Sequence, residues 1–130
     1  MRTYGKGQFA PAMGTTAYNR YIQLLHYGEG SAMLPLMLKL YTSRLGDAGA
    51  PLQPRINSEI QNHMGWLDSE LVDKTYFVGD SLTGADVQLS FVAQYATKGQ
   101  GVEMFPNLAR FVAMVEARPA YQRAIAKGGA

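Results

Sequence analysis

The chain has 130 residues, 47% hydrophobic and 17% charged, enough for one domain with its own core. Twelve basic and ten acidic residues leave a net charge of +2 with no Lys/Arg run, which excludes a nucleic-acid footprint. There is no cysteine, which excludes disulfides, thiolate metal sites and a cysteine nucleophile. His26 and His63 lie too far apart for a metal-ligand spacing, so no metal site is expected. No apolar run reaches the roughly 18 residues of a membrane span. Met1-Arg2-Thr3 leads into glycines and polar residues rather than a signal core. The expectation is a cytoplasmic protein with neither nucleic-acid nor membrane partners.

Gly5 to Thr16 reads as an extended lead-in, with Thr15 or Thr16 able to cap the next helix. From Ala17 to about Leu45 the spacing predicts a helix with Tyr18, Tyr21, Ile22, Leu25, Glu29, Ala32, Met33, Leu36 and Leu40 near one face. Pro35 removes a donor and should bend or break it just before itself. Met33 to Tyr41 is apolar nearly all round, which predicts burial on more than one side. Gly46 to Pro51 reads as a loop. A second helix is expected from about Gln53 to Val72, with Ile56, Ile60, His63, Met64, Leu67 and Leu71 as its stripe.

A third helix is expected from about Gly84 to Thr97, ended by Lys98-Gly99-Gln100-Gly101. Pro106 suits the first position of a fourth, with Leu108, Phe111, Val112 and Val115 as its apolar face. Arg118-Pro119 stops it. A short last helix with Tyr121 and Ile125 precedes a Gly-Gly tail. Strand alternation, internal repeats and low-complexity tracts are absent. The fold class is all-α, with about five helices.

The start of the third helix is the most specific stretch. Gly79-Asp80-Ser81 supplies a turn, and Thr83 is an N-cap whose hydroxyl can accept the N–H of the third helical residue. Asp86 can reach back to the Thr83 N–H, a Thr-x-x-Asp variant of the capping box. Leu82 and Val87 stand at the two positions of a hydrophobic staple. An acid in the first turn suits the helix dipole.

Phe77-Val78-Gly79-Asp80-Ser81-Leu82-Thr83-Gly84-Ala85-Asp86 resembles the buried capping box of the C-terminal, all-helical domain of cytosolic glutathione S-transferases. Phe105-Pro106-Asn107-Leu108-Ala109-Arg110-Phe111, the run from Ala117 to Ala124, and Leu25-His26-Tyr27-Gly28-Glu29-Gly30-Ser31 are similar to further stretches of that domain, in the family's order. The resemblance implies a helical bundle over residues 15–130, with residues 1–14 as the remnant of an interdomain linker. It also implies a homodimer built on the first two long helices, with glutathione as co-substrate and no covalently bound cofactor.

The family places its thiol-activating residue on an N-terminal thioredoxin-like domain, and nothing in these 130 residues resembles that domain. No catalytic residue is therefore expected here. The resemblance assigns this chain the site for a small hydrophobic electrophile, as in detoxifying conjugation. Tyr95 is the aromatic expected over that cleft, with Tyr27 and Ser31 facing it and Met33 near it, although Met33 is equally read as core. Glu29 is the acid that would reach the γ-glutamyl ammonium across a dimer interface; a solvated or arginine-paired glutamate is its simpler reading. His26 is read as packed like an aromatic. Competing readings are a non-catalytic protein–protein interaction module and a ligand-binding helical protein without transfer chemistry.

Overall fold

Thr15 starts the helical part of the chain: its side chain accepts the Tyr18 N–H at 3.1 Å, and helix α1 runs Thr16–Tyr27. The structure, a computed structural model, describes residues 4–100 and 103–128, with Gln100 described by its backbone alone. Gly101 and the second glycine of the tail, Gly129, lie outside the described residues, as do Met1 to Thr3 of the expected linker remnant. Helices α2 (Met33–Ser43), α3 (Gln53–Glu70), α4 (Gly84–Gln100), α5 (Pro106–Glu116) and α6 (Pro119–Ala126) follow. A π-helical segment, Gly28–Ala32, joins α1 to α2, so the two form one bent rod and the domain has five rods. No strand occurs among the described residues.

The bend has a chemical cause. Pro35 has no N–H, and its ring would press on the carbonyl one turn back, at Ser31. The preceding turn widens instead: the Met33 N–H reaches the Gly28 carbonyl, five residues back. The backbone stays right-handed at both ends of the segment, so the rod is bent and not cut. Gly28 is buried against α4, where an added Cβ would lie 3.1 Å from Gln88 Cγ. The buried ridge runs Tyr21, Leu24, Gly28 and Ala32, then Met33, Pro35 and Leu36.

The bent rod lies antiparallel to α3. Arg20 pairs with Glu70, Tyr27 with His63 and Lys39 with Asn57, so numbers rise on one rod as they fall on the other. α3 presents Ile56, Ile60, Met64, Leu67 and Leu71 to the core, where they cluster with Leu24, Leu89, Val92, Leu108 and Phe111. Phe77 closes the core edge-on to Phe111, with ring centroids 5.1 Å apart.

α3 and α5 cap each other. Asp68, near the end of α3, accepts the Leu108 N–H and the Asn107 side-chain amide, both at 2.9 Å, and so satisfies the start of α5. Arg110 returns from α5 to donate to the carbonyls of Leu71 at 2.7 Å and Lys74 at 3.1 Å, just past the end of α3.

Three segments depart from expectation. The lead-in is turned rather than extended: Gln8 N–H bonds the Gly5 carbonyl at 2.8 Å, and Lys6, Gly7 and Phe9 take positive φ. Gly46–Leu52 is a 3-10 helix rather than a loop, wound against the end of α2 so closely that a Cβ on Gly49 would collide with the Thr42 carbonyl. α4 continues about one turn past Thr97, through Gly99. Asp68→Ala should lower stability by about 1–2 kcal/mol, because it strips two donors from the start of α5. Thermal melts of the variant and of the parent chain measure this, with roughly 4 °C expected per kcal/mol.

Candidate ligand site

Asp86 sits in the first turn of α4 and is fully buried. Its Oδ2 accepts the Thr83 N–H and the Thr83 hydroxyl, each at 2.7 Å, and its Oδ1 accepts the Phe77 N–H at 2.8 Å. The sequence reading gave Thr83 Oγ1 an acceptor's role; in the structure the hydroxyl donates to the carboxylate. The bond to Phe77 spans nine residues and ties the loop before α4 to its first turn. The Phe9 carbonyl accepts the next N–H, from Gly84, at 2.9 Å. The staple carries little burial: Leu82 is half-buried, but Val87 is 58% exposed.

Anchored this way, α4 presents Val87, Phe91 and Tyr95 outward at four-residue steps. Tyr95 is 39% exposed and stands beside Phe91, with ring centroids 6.3 Å apart. Beneath it α2 and α4 enclose a cavity of about 430 Å³, lined by Leu36, Leu40 and Tyr95, with Lys39, Lys98 and Ser43 around them. Its size and apolar lining suit a small flat molecule. A larger groove of about 720 Å³ lies at the lead-in turn, but loop residues dominate it and Tyr95 is not among them.

Of the four residues expected at one cleft, Tyr95, Tyr27, Ser31 and Met33, only Tyr95 lines this cavity. Tyr27 turns toward α3, not toward Tyr95. Its hydroxyl lies 2.7 Å from His63 Nδ1 and its ring packs edge-on to Trp66, with centroids 4.5 Å apart. Ser31 goes to the same side, in a cavity of about 350 Å³ with Leu34, Leu38, Glu59 and His63. Met33 is buried in the core. Glu29 is exposed, not buried, and accepts from Gln88 Nε2 of α4 at 2.8 Å. The sequence pattern placed Glu29 on the apolar ridge, where the smaller Gly28 lies instead, because α4 crosses there at close range. His26 is exposed rather than packed.

Burial raises the Tyr27 hydroxyl from 10.0 to about 12. The hydroxyl keeps its proton and pairs with His63 Nδ1, while His63 Nε2 faces Glu59 Oε2 at 3.5 Å. Arg55 holds the same glutamate through its other oxygen at 2.6 Å. Among the described residues no three His, Cys, Asp or Glu side chains converge as a metal site would require.

The chain is thus an all-helical bundle with a buried Thr-x-x-Asp box and an apolar cavity beside the helix that box starts. Residues 31–119 match the family described as "Glutathione S-transferase, C-terminal domain", and the chain belongs to it. A crystal structure of a glutathione S-transferase from Actinobacillus pleuropneumoniae superposes with a TM-score of 0.80 at 31% identity, over 94% of this chain and 55% of that one. A bacterial beta class glutathione S-transferase from Sphingomonas chungbukensis gives 0.76 at 26% identity, over 98% and 62%. "Glutathione S-transferase 1" of Saccharomyces cerevisiae is 26% identical over 114 residues, which span 75% of this chain and 49% of that protein. The chain thus spans about half the length of the relatives it matches.

The sequence reading missed Gln88, His63 as the partner of Tyr27, and the two lysines beside Tyr95. Only the lysines carried a signal: Lys39 and Lys98 fall next to apolar helical positions.

Asp86→Ala leaves three buried donors unpaired, so a loss of about 3 kcal/mol or more is expected, read by urea denaturation. Asp86→Asn should recover part of it by keeping an acceptor oxygen. For Tyr27 the folded pKa lies above the unfolded one. Its contribution to stability is therefore intact below pH 10 and lost as pH rises through about 12. Tyrosinate absorbance should show a late-titrating component that Tyr27→Phe lacks.

Proposed function

We propose that this chain is the electrophile-binding half of a glutathione-conjugating enzyme. It holds a small hydrophobic co-substrate against a thiol activated on a thioredoxin-like unit. The cavity under Tyr95 carries the reading: a roomy apolar space on a domain of this family, walled by α2 and α4. Within the chain no residue is assigned a catalytic role. Its contribution is to position the electrophile and exclude water from it. Glutathione is the proposed co-substrate, with no covalently bound cofactor. Tyr95 is the aromatic wall; Glu29, on the α4 side of the rod and exposed, is the proposed contact to the γ-glutamyl ammonium. Tyr27 and Ser31 are assigned to the α3 side, and Met33 to the core.

The proposed organisation has residues 1–14 as linker and residues 15–130 as the helical domain, working in the cytoplasm in detoxification. A homodimer is proposed through α2 and α3. Leu34, Leu38 and Tyr41 stand exposed along α2 and Leu45 just past its end, more apolar surface than a single copy leaves in water comfortably.

The test is conjugation of glutathione to a chlorinated aromatic, followed by absorbance. The 130-residue chain alone should show no turnover, and fusion of a thioredoxin-like domain ahead of Met1 should restore it. Turnover by the isolated chain that disappears in Glu29→Gln would overturn this division of labour. Sedimentation at micromolar concentration should give a dimer, which Leu38→Glu shifts to monomer.

A further inference from the structure

Two elements about sixty residues apart in sequence meet at one carboxylate. Glu29 stands exposed on the widened turn Gly28–Ala32, and its Oε1 accepts the Gln88 side-chain amide of α4 at 2.8 Å. Its Oε2 has no hydrogen-bond or ion-pair partner among the described residues. Gln88 is half-buried and held along its stem. Its Cγ lies against Gly28, where an added Cβ would stand only 3.1 Å away. Two residues earlier, Asp86 fixes the turn from which Gln88 projects, through its bonds to Thr83 and Phe77. A glutamine packed in this way has few rotamers open to it, so its amide is offered in one place.

From this geometry we infer that Gln88 is a positioning residue for glutathione: it holds Glu29 by one carboxylate oxygen and leaves the other free for the γ-glutamyl ammonium. The inference rests on Glu29 being the ammonium contact, and it adds what makes an exposed glutamate fit for that role. An untethered glutamate turns about three bonds, and ordering it on binding offsets part of the attraction. An exposed carboxylate–ammonium pair is weak to begin with, so the ordering cost decides whether the contact contributes. Gln88 removes that cost beforehand. As a neutral donor it orients the carboxylate without cancelling its charge, which a lysine or arginine in its place would do. Loss of the tether should weaken glutathione binding about threefold to tenfold. Glutathione already bound should react at an unchanged rate.

The test uses the chain fused behind a thioredoxin-like domain, with glutathione and the chlorinated aromatic varied in turn. Q88M keeps the side chain's length and its packing on Gly28 and removes the amide; circular dichroism checks its folding. It should raise KM for glutathione about threefold to tenfold, with kcat and the KM for the aromatic held within about twofold. E29Q should raise KM for glutathione at least as far. The double variant Q88M/E29Q should go no further than E29Q alone, because Gln88 acts only through the carboxylate. An E29Q effect without a Q88M effect, or effects that multiply in the double variant, overturns the positioning role and leaves the Glu29 contact standing. A Q88M variant in which both KM values rise together is merely structural and overturns the role too. Unchanged KM for glutathione in E29Q overturns the contact itself, and a fusion without turnover overturns the proposed function; the inference falls with either.

Discussion

One carboxylate fixes the geometry on which the ligand site depends. Asp86 is completely enclosed and receives three donors: two backbone N–H groups and a hydroxyl. An enclosed carboxylate without them would be severely destabilising, and the N–H groups of Phe77 and Thr83 would be equally orphaned without it. Each partner is therefore placed by the others. The bond to Phe77 brings the loop down so that the Phe77 ring reaches Phe111, and the bonds to Thr83 set where α4 begins. A helix whose first turn is fixed has its last turns fixed too, since rise and rotation per residue are constant. Tyr95 owes its place over the cavity to a carboxylate about two and a half turns away.

The second constraint is the widened turn at Gly28–Ala32. A regular helix from Thr16 to Ser43 would carry one ridge of contacts along its whole length. The rod's contacts change across this turn: α1 packs mainly on α4, while α2 lies along α3 and keeps its other flank on the Tyr95 cavity. Glu29 and Tyr27, two residues apart, fall on opposite sides of the rod, as about 100° per residue requires. Glu29 meets Gln88 of α4, and Tyr27 meets His63 of α3.

Much of this was legible in the residues, for identifiable reasons. Thr15, Pro106 and Pro119 are local punctuation, and helix starts fell where cap and proline chemistry put them. The α3 stripe was readable because burial there follows an undisturbed helical period. The reach of Asp86 to Thr83 is a contact over three residues, whereas its reach to Phe77 depends on a loop path that no periodicity encodes. The exchange of caps between Asp68 and Arg110 joins residues about forty positions apart and has no local signature. Glu29 was misplaced because the ridge position falls one residue earlier, on Gly28, where α4 crosses at close range. The Tyr95 cavity was half legible. The aromatic was named from the family resemblance, but its lysine rim comes from two helices that only tertiary packing brings together.

The continuous apolarity of α2 follows from how many surfaces one short helix serves. Met33 and Leu36 fill the core, and Leu40 lines the groove toward α4. Leu34 and Leu38 line the groove toward α3. Leu34, Leu38, Tyr41 and Leu45 make a stripe open to solvent in the single chain. An ordinary surface helix needs one apolar face about a third of its circumference wide and gains solubility from the rest. α2 keeps one basic side chain, Lys39, and places it at the rim of a groove, so even its one charge borders an apolar surface. Within the chain, α3 and α4 cover two flanks of α2, and its apolar residues are divided among those two contacts and the solvent-facing stripe.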